Sequence, residues 1–295
     1  MITLITAAVV VLAGIVCYGA ARVFGWSRWR AARQRVRGRL DEGRISSGTE
    51  FVNFAELEGL PPVVANYFRA ALLEGQPMVT GAHLQHQGTF NAGQKRDQWK
   101  PFRSDQRVVT QRPGFDWDAC IRMLPGLPVR VRDAYVAGEG ILQASILGLI
   151  TVANLRSSRD LAEGELMRFL AESAWYPTAL LPSQGIQWRE ADERSAYATL
   201  RDGDVSVTLL FTFGEDGLID TVRAESRGRM VGDKVIPTPW QGRFWNYTEL
   251  GGMQVPLNGE VSWLIADSPK PYWRGHITRL VFDHVSRGNS SVMDS

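Results

Sequence analysis

The sequence predicts a mainly antiparallel β fold, a curved sheet or half-barrel of about 11–12 strands with a lid helix, preceded by one N-terminal transmembrane helix. Three observations predict it. An uncharged apolar run opens the chain, segments of period-two alternation separated by turn residues fill most of the rest, and a single long helical segment interrupts them.

The first element is residues 2–21, ITLITAAVVVLAGIVCYGAA, twenty residues without a charge. At about 1.5 Å rise per residue that run covers a hydrocarbon core of roughly 30 Å. A signal peptide would need a basic stretch before the apolar run, and Met1 and Ile2 supply none. Residues 22–44 then form an Arg-rich juxtamembrane segment, with eight arginines against Asp41 and Glu42, a net charge of +6; the other residues hold 25 basic and 29 acidic side chains, a net of −4. Trp26, Arg28, Trp29, Arg30 and Arg33 lie where aromatic and basic side chains meet anionic headgroups, so the expected partner is membrane lipid and not nucleic acid. The arginine bias places the C-terminal domain in the cytoplasm of a cell with this chain in its inner membrane, single-pass, with the periplasmic or external side as the alternative.

Residues 45–80 read as a linker and a short helix, the helix being GLPPVVANYFRAALLEG with prolines at its entry, Gly75 at its exit, and Val63, Tyr67, Ala70 and Ala71 on one face. Residues 81–286 are the β-rich domain. Strands fall near 81–91, 104–112, 114–123, 129–138 and 139–149, and again near 185–192, 194–203, 204–217, 218–228, 240–250, 258–267 and 272–282. The short connections favour an antiparallel sheet over an alternating strand–helix fold. Alternation puts Phe115, Trp117, Ala119, Ile121 and Met123 on one face, with Asp116, Asp118, Cys120 and Arg122 on the other. Residues 287–295 read as a disordered tail.

A face so apolar must be covered. The helix predicted over 160–175 carries Leu161, Glu165, Arg168 and Glu172 as a ladder on one side and Leu166, Phe169, Leu170 and Ser173 on another. Pro177 pushes Tyr176 out of helical geometry, and Pro182 keeps the next residues extended, so Ala179, Leu180 and Leu181 lie across the sheet as a plug.

The motifs WYPTALLPS, PGLPVRVRDAYVAGEG, PTPWQGRF and GEVSWLI followed by YWRGHI, spread in order over residues 59–282, resemble an uncharacterised bacterial membrane-anchored family, a domain of unknown function. Its strand-rich layout resembles the lipoprotein-carrier (LolA-like) half-barrel, a curved sheet with a helical lid over an apolar cavity. The resemblance implies that Trp175, Tyr176, Pro177, Leu180 and Leu181 form the lid and that Trp117, Trp188, Phe211, Trp240, Phe244 and Trp263 line a cavity for a lipid or other amphiphile. Arg130, Arg132 and Arg274 are the arginines expected to hold a phosphate or carboxylate headgroup at its mouth.

Other chemistries find little footing. The two cysteines, Cys17 in the span and Cys120, make no disulfide framework, and no clustered Cys/His set suggests a metal. His83 and His86, three apart on a strand, face opposite sides. Neither G-x-S-x-G nor a phosphate loop occurs, and no motif implies a cofactor or a particular protein partner. Asp116 and Asp118 share a face and are the best acid pair available to a hydrolase or transferase. The residues thus support three functions: a non-catalytic amphiphile binder, a membrane-tethered interaction or structural module, and an enzyme using Asp116 and Asp118.

Overall fold

The computed structural model describes residues 2–45, 50–93, 96–232, 234–266 and 268–284. The expected tail at 287–295 and residues 46–49 of the expected linker lie outside the described residues.

The apolar and Arg-rich segments form one continuous helix, α1 (Ile2–Glu42). Its first half is a candidate membrane span, with a mean hydropathy of 2.3 over an 18-residue window and none of that window buried. The next helix, α2 (Pro62–Ala71), opens with proline in its first turn, where the missing amide costs no hydrogen bond. It buries Val64, Ala65, Tyr67, Phe68 and Ala71. The buried face is rotated from the expected one: Ala70 is exposed, because Phe68 and Tyr67 both turn into the core.

Thirteen strands follow among the described residues: β1 (Val79–Asn91), β2 (Trp99–Val109), β3 (Gly114–Leu124), β4 (Leu127–Val136), β5 (Glu139–Ile146), β6 (Ile150–Arg156), β7 (Gln187–Asp192), β8 (Ser195–Asp202), β9 (Val205–Phe213), β10 (Ile219–Val231), β11 (Lys234–Leu250), β12 (Met253–Ile265) and β13 (Ser268–His284). They make one antiparallel sheet in the order β6-β5-β4-β3-β2-β1-β13-β12-β11-β10-β9-β8-β7. Each strand thus pairs with its chain neighbour, except that β1 pairs with β13, from Val79 opposite His284 to Phe90 opposite Trp273. The sheet curls strongly: Asp202 at the end of β8 accepts a hydrogen bond from Tyr135 on β4 (3.0 Å) and pairs with Arg112 beyond β2 (3.3 Å). Sequence periodicity misses β6, an edge strand whose residues are nearly all exposed and which therefore shows no alternation to detect.

Between the edges β6 and β7 runs α3 (Arg159–Glu172), capped at its start by Ser158, whose hydroxyl accepts from the Leu161 amide. Three short 3-10 turns at Ser173–Trp175, Pro177–Leu180 and Pro182–Gln184 continue it to β7. Pro182 opens the last of these turns where an extended run was expected, since its fixed φ also suits the first position of a helical turn. Together the helix and turns cover the inner face, whose core includes Phe115, Trp117, Ile121, Leu209, Phe211 and Trp240.

The second half of α1 lies along the outer face of β2, β3 and β4. The Trp29 indole donates to Asp118 (2.8 Å), Arg33 pairs with Asp118 (3.3 Å), and Arg37 spans Asp116 (2.8 Å) and Asp105. Beneath them the Arg132 guanidinium, fully buried, sits 3.1 Å from Asp116 and 4.7 Å from the centre of the Trp29 ring. Burial pushes the Asp116 carboxyl up, against the pull of Arg132 and Arg37. Val36 and Leu40 of α1 close the far end against Val109, Ala134, Val136 and Ile141.

Removing one partner of a buried ion pair leaves the other charged and desolvated. Asp116→Ala is therefore expected to destabilise the protein by roughly 3–5 kcal/mol, read as a fall in denaturation midpoint, because Arg132 keeps its burial and loses its counter-ion.

Candidate functional site

The inner face is assembled by strand parity. On β3 the odd-numbered Phe115, Trp117, Ala119 and Ile121 point inward into one buried cluster, and on β9 Val207, Leu209, Phe211 and Phe213 do the same. The lid lies on this surface. Tyr176, Leu180 and Leu181 are fully buried, and Trp175 packs against His86 (5.0 Å between ring centres), Phe244 (5.7 Å) and Trp273 (6.5 Å).

Polar groups of the lid are tied to the helix and strands around it, as a buried non-helical segment requires. The Tyr176 hydroxyl donates to the Phe169 carbonyl (3.0 Å), the Val79 amide to Thr178 (3.2 Å), and the Trp188 indole to the Leu180 carbonyl (3.0 Å). The lid residues Trp175, Tyr176, Leu180 and Leu181 and the expected lining residues Trp117, Phe211, Trp240 and Phe244 join a single cluster, with Trp188 and Trp263 partly buried against it and Pro177 buried in the turn. These turns cover the inner face, and the surface beneath them is packed.

The other expected site residues are placed differently. Arg130, Arg132 and Arg274 all leave the sheet on its outer side: Arg132 is sealed under α1, and Arg274 pairs with Glu260 (2.6 Å) over the Trp99 ring. None of the three borders the inner face, since each alternates with an inward neighbour, Val131, Asp133 or Trp273. Trp26, Arg28 and Arg30 are exposed on α1, whereas Trp29 and Arg33 turn toward the sheet. Asp116 and Asp118 are covered by α1 and matched with Arg37, Arg132, Arg33 and Trp29, so they face no cleft. His83 lies outward against Asp105 (2.7 Å) and His86 inward, as the three-residue spacing requires.

The polar groups that do converge on the inner face sit beneath α3. Arg168 is the hub, with Nη1 2.8 Å from Asp133, Nε 2.7 Å from Glu172, and its guanidinium over Trp117 (4.7 Å) and Phe115 (5.1 Å). Gln106 on β2 donates to the second Glu172 oxygen (2.6 Å). Glu165, one turn earlier, is 4% exposed, and burial together with the neighbouring Asp133 raises its carboxyl to about 8. Asp133 is also raised, by burial, against Arg168 and Arg227. His86 is pushed down to about 3, chiefly by burial, and is neutral at ordinary pH.

Several polar atoms here lack hydrogen-bond partners: His86 Nε2, Gln106 Oε1, Trp117 Nε1, Asp133 Oδ1, Glu165 Oε2 and Trp175 Nε1. Leaving such groups unpaired in an interior is costly, and they cluster along the line where lid meets sheet.

Residues 58–282, from the approach to α2 through most of β13, match a family of unknown function (DUF6920). The chain belongs to this family. No curated protein matches it. Among solved structures, it is similar to a LolA superfamily protein from Nitrosomonas europaea at 9% identity, with a TM-score of 0.37, over 86% of this chain and 94% of that one. A beta-barrel-like protein of a domain of unknown function from Brucella abortus gives 10% identity and a TM-score of 0.20, over 70% of this chain and 99% of that one.

In this DUF6920 chain the inner polar cluster was partly visible in sequence. The α3 ladder of Glu165, Arg168 and Glu172 is real in its spacing, but it faces the sheet and not solvent. Asp133 interrupts the inward parity of Val129, Val131 and Tyr135, and Gln106 that of Ser104 and Val108; a charged or amide residue at an inward position is the signal that finds such a site.

An acid raised by folding releases its proton more easily unfolded, so Glu165 stabilises least where the unfolded chain is ionised and the folded one is not. Its contribution is whole below about pH 4.5 and falls as pH rises toward about 8. Glu165→Gln is expected to flatten the fall in melting temperature between pH 5 and 8, by a few degrees at the upper end, measured by a thermal melt at each pH.

Proposed function

We propose that this protein is a single-pass membrane protein whose β domain binds a lipid or other amphiphile, without catalysis, on the inner face under the WYPTALLPS lid. One observation carries the reading: a continuous apolar, aromatic sheet face is covered by a helix and three short turns lying between two sheet edges, in a chain that opens with a candidate membrane span. A cover of that kind can lift without breaking strand pairing. Trp263, Tyr272, Phe90 and Val131, partly buried, extend the apolar surface beyond the lid.

The polar cluster beneath α3 suits the head of an amphiphile better than the outer arginines do. Arg168 supplies charge, and Glu165, protonated near neutral pH, supplies a donor. The arginines of α1 favour a cytoplasmic β domain at the inner membrane. A membrane-tethered interaction module is the second reading, and the closed, packed state of the lid favours it.

A photoreactive acyl-chain lipid supplied to the full chain in its native membrane separates the two. The expected result is peptides crosslinked at Phe90, Trp263 or Tyr272 as well as along α1, with the inner-face signal reduced several-fold by Arg168→Leu. Crosslinks on α1 alone, with the inner face captured by protein, would favour the interaction module.

A further inference from the structure

The direction of α1 across the sheet determines which end of the strands meets the bilayer. From its Arg-rich end backward, Leu40 lies against Gly114 at the start of β3, Arg37 and Trp29 meet Asp116 and Asp118, and Gly25 meets the β5–β6 turn. There the backbones touch: a Cβ on Gly25 would lie 2.1 Å from the Leu147 carbonyl oxygen, and one on Gly148 would lie 2.5 Å from that of Gly25. Farther back still, the Tyr18 hydroxyl donates to the Gly126 carbonyl in the β3–β4 turn. The uncharged first part of α1 continues past these turns.

Tyr18 precedes Arg22, the first charge on the helix, by four residues, or about 6 Å along the axis. A hairpin tip that contacts Tyr18 is therefore level with the last turn of the apolar segment. The β5–β6 tip, at Gly25, lies about 10 Å farther along the helix, level with Trp26 and Arg28, where the interface would be, and both tips are uncharged. From Met123 to Val129 and from Gly140 to Leu155 the chain carries no charge. Leu124 (60%), Leu127 (39%), Ile150 (63%) and Val152 (61%) are exposed there. Just behind the β3–β4 tip stand Arg122 and Arg130, and no acidic residue occurs between Asp118 and Asp133 or between Glu139 and Asp160; Arg156 lies at the far end of β6, opposite Ile141. Uncharged tips with a cationic collar match the layering of an anionic bilayer surface, apolar inside and phosphate outside.

We propose that the β3–β4 and β5–β6 hairpins are a membrane foot, their tips seated in the interface of the bilayer that α1 crosses and their arginine collar on anionic headgroups. This rests on the reading of α1 as a membrane span. Its consequence for the inner face is direct. Ile121, Met123, Val129 and Val131 run inward from the β3–β4 tip to the aromatic surface, with β5 between them and the edge strand β6. An acyl chain entering from the bilayer past the β3–β4 tip would meet these apolar side chains first.

The test uses the full chain with Cys17→Ser and Cys120→Ser, reconstituted in vesicles of phosphatidylglycerol and phosphatidylethanolamine. Single cysteines, Leu124→Cys, Val152→Cys, Val281→Cys on β13 and Val10→Cys in the span, each carry a bimane fluorophore. Nitroxide on the lipid acyl chains is expected to quench the labels at 124, 152 and 10 several-fold more than the label at 281, and aqueous iodide to show the reverse order. Quenching at 10 by lipid with 124 and 152 quenched by iodide, like 281, would overturn the foot and leave the span standing. Iodide quenching at 10 as well would overturn the span and the foot with it. In the Arg122→Glu, Arg130→Glu variant, lipid quenching at 124 is expected to drop toward the level at 281; unchanged quenching there and in phosphatidylcholine vesicles would overturn the role of anionic headgroups.

Discussion

A sheet of antiparallel strands that curls without closing leaves an apolar concave face and two unpaired edges, and everything else in this protein answers that constraint. The crossover from β6 to β7 covers the face in a single pass. Its helix ends at Glu172, a 3-10 turn follows and Pro177 opens the next one, and turn bonds with the Trp188 indole pair the backbone groups, so Leu180 and Leu181 are buried without stranding them. A longer helix would overshoot the concavity, and an extended strand would add to an edge instead of crossing between edges.

The convex face is handled by a different kind of interaction. Asp105, Asp116 and Asp118 form an acidic line that would be costly on a covered surface, and α1 brings arginines and a tryptophan in register with it. The arginines that the linear reading assigned to a membrane surface are thus in part the residues that fasten α1 to the sheet. Charge here serves as a joint between helix and sheet.

Much of this architecture was legible in the sequence, and the gaps have physical causes. Alternation reveals strands with one polar face, so β3 and β9 were plain, while exposed β6 carried no alternation to read. The inner aromatic set, Trp117, Phe211 and Trp240 among it, was readable from parity alone. What parity cannot supply is which of two faces a long helix will cover. Trp29 and Arg33 look like interface residues in a linear reading because their partners, Asp118 and Asp105, lie far along the chain. Arg132 was misplaced for the same reason, its role depending on a helix that sequence shows as separate. Arg227, stacked over Trp240 beside Gly164, had no local mark at all.

The pairing of β1 with β13 gives the order in which this protein can come into being. Strands β2 to β6 and β7 to β12 can each form as successive hairpins from local contacts, but the seam between the two halves joins Val79 to His284. During synthesis α1 precedes the strands, and its arginines await acids that emerge within about the next hundred residues. The sheet therefore acquires its helical cover early and its continuity last. Until the final strand arrives, the half-sheet of β1 to β6 carries an open edge along β1, held at the surface of the structure to which α1 is fixed.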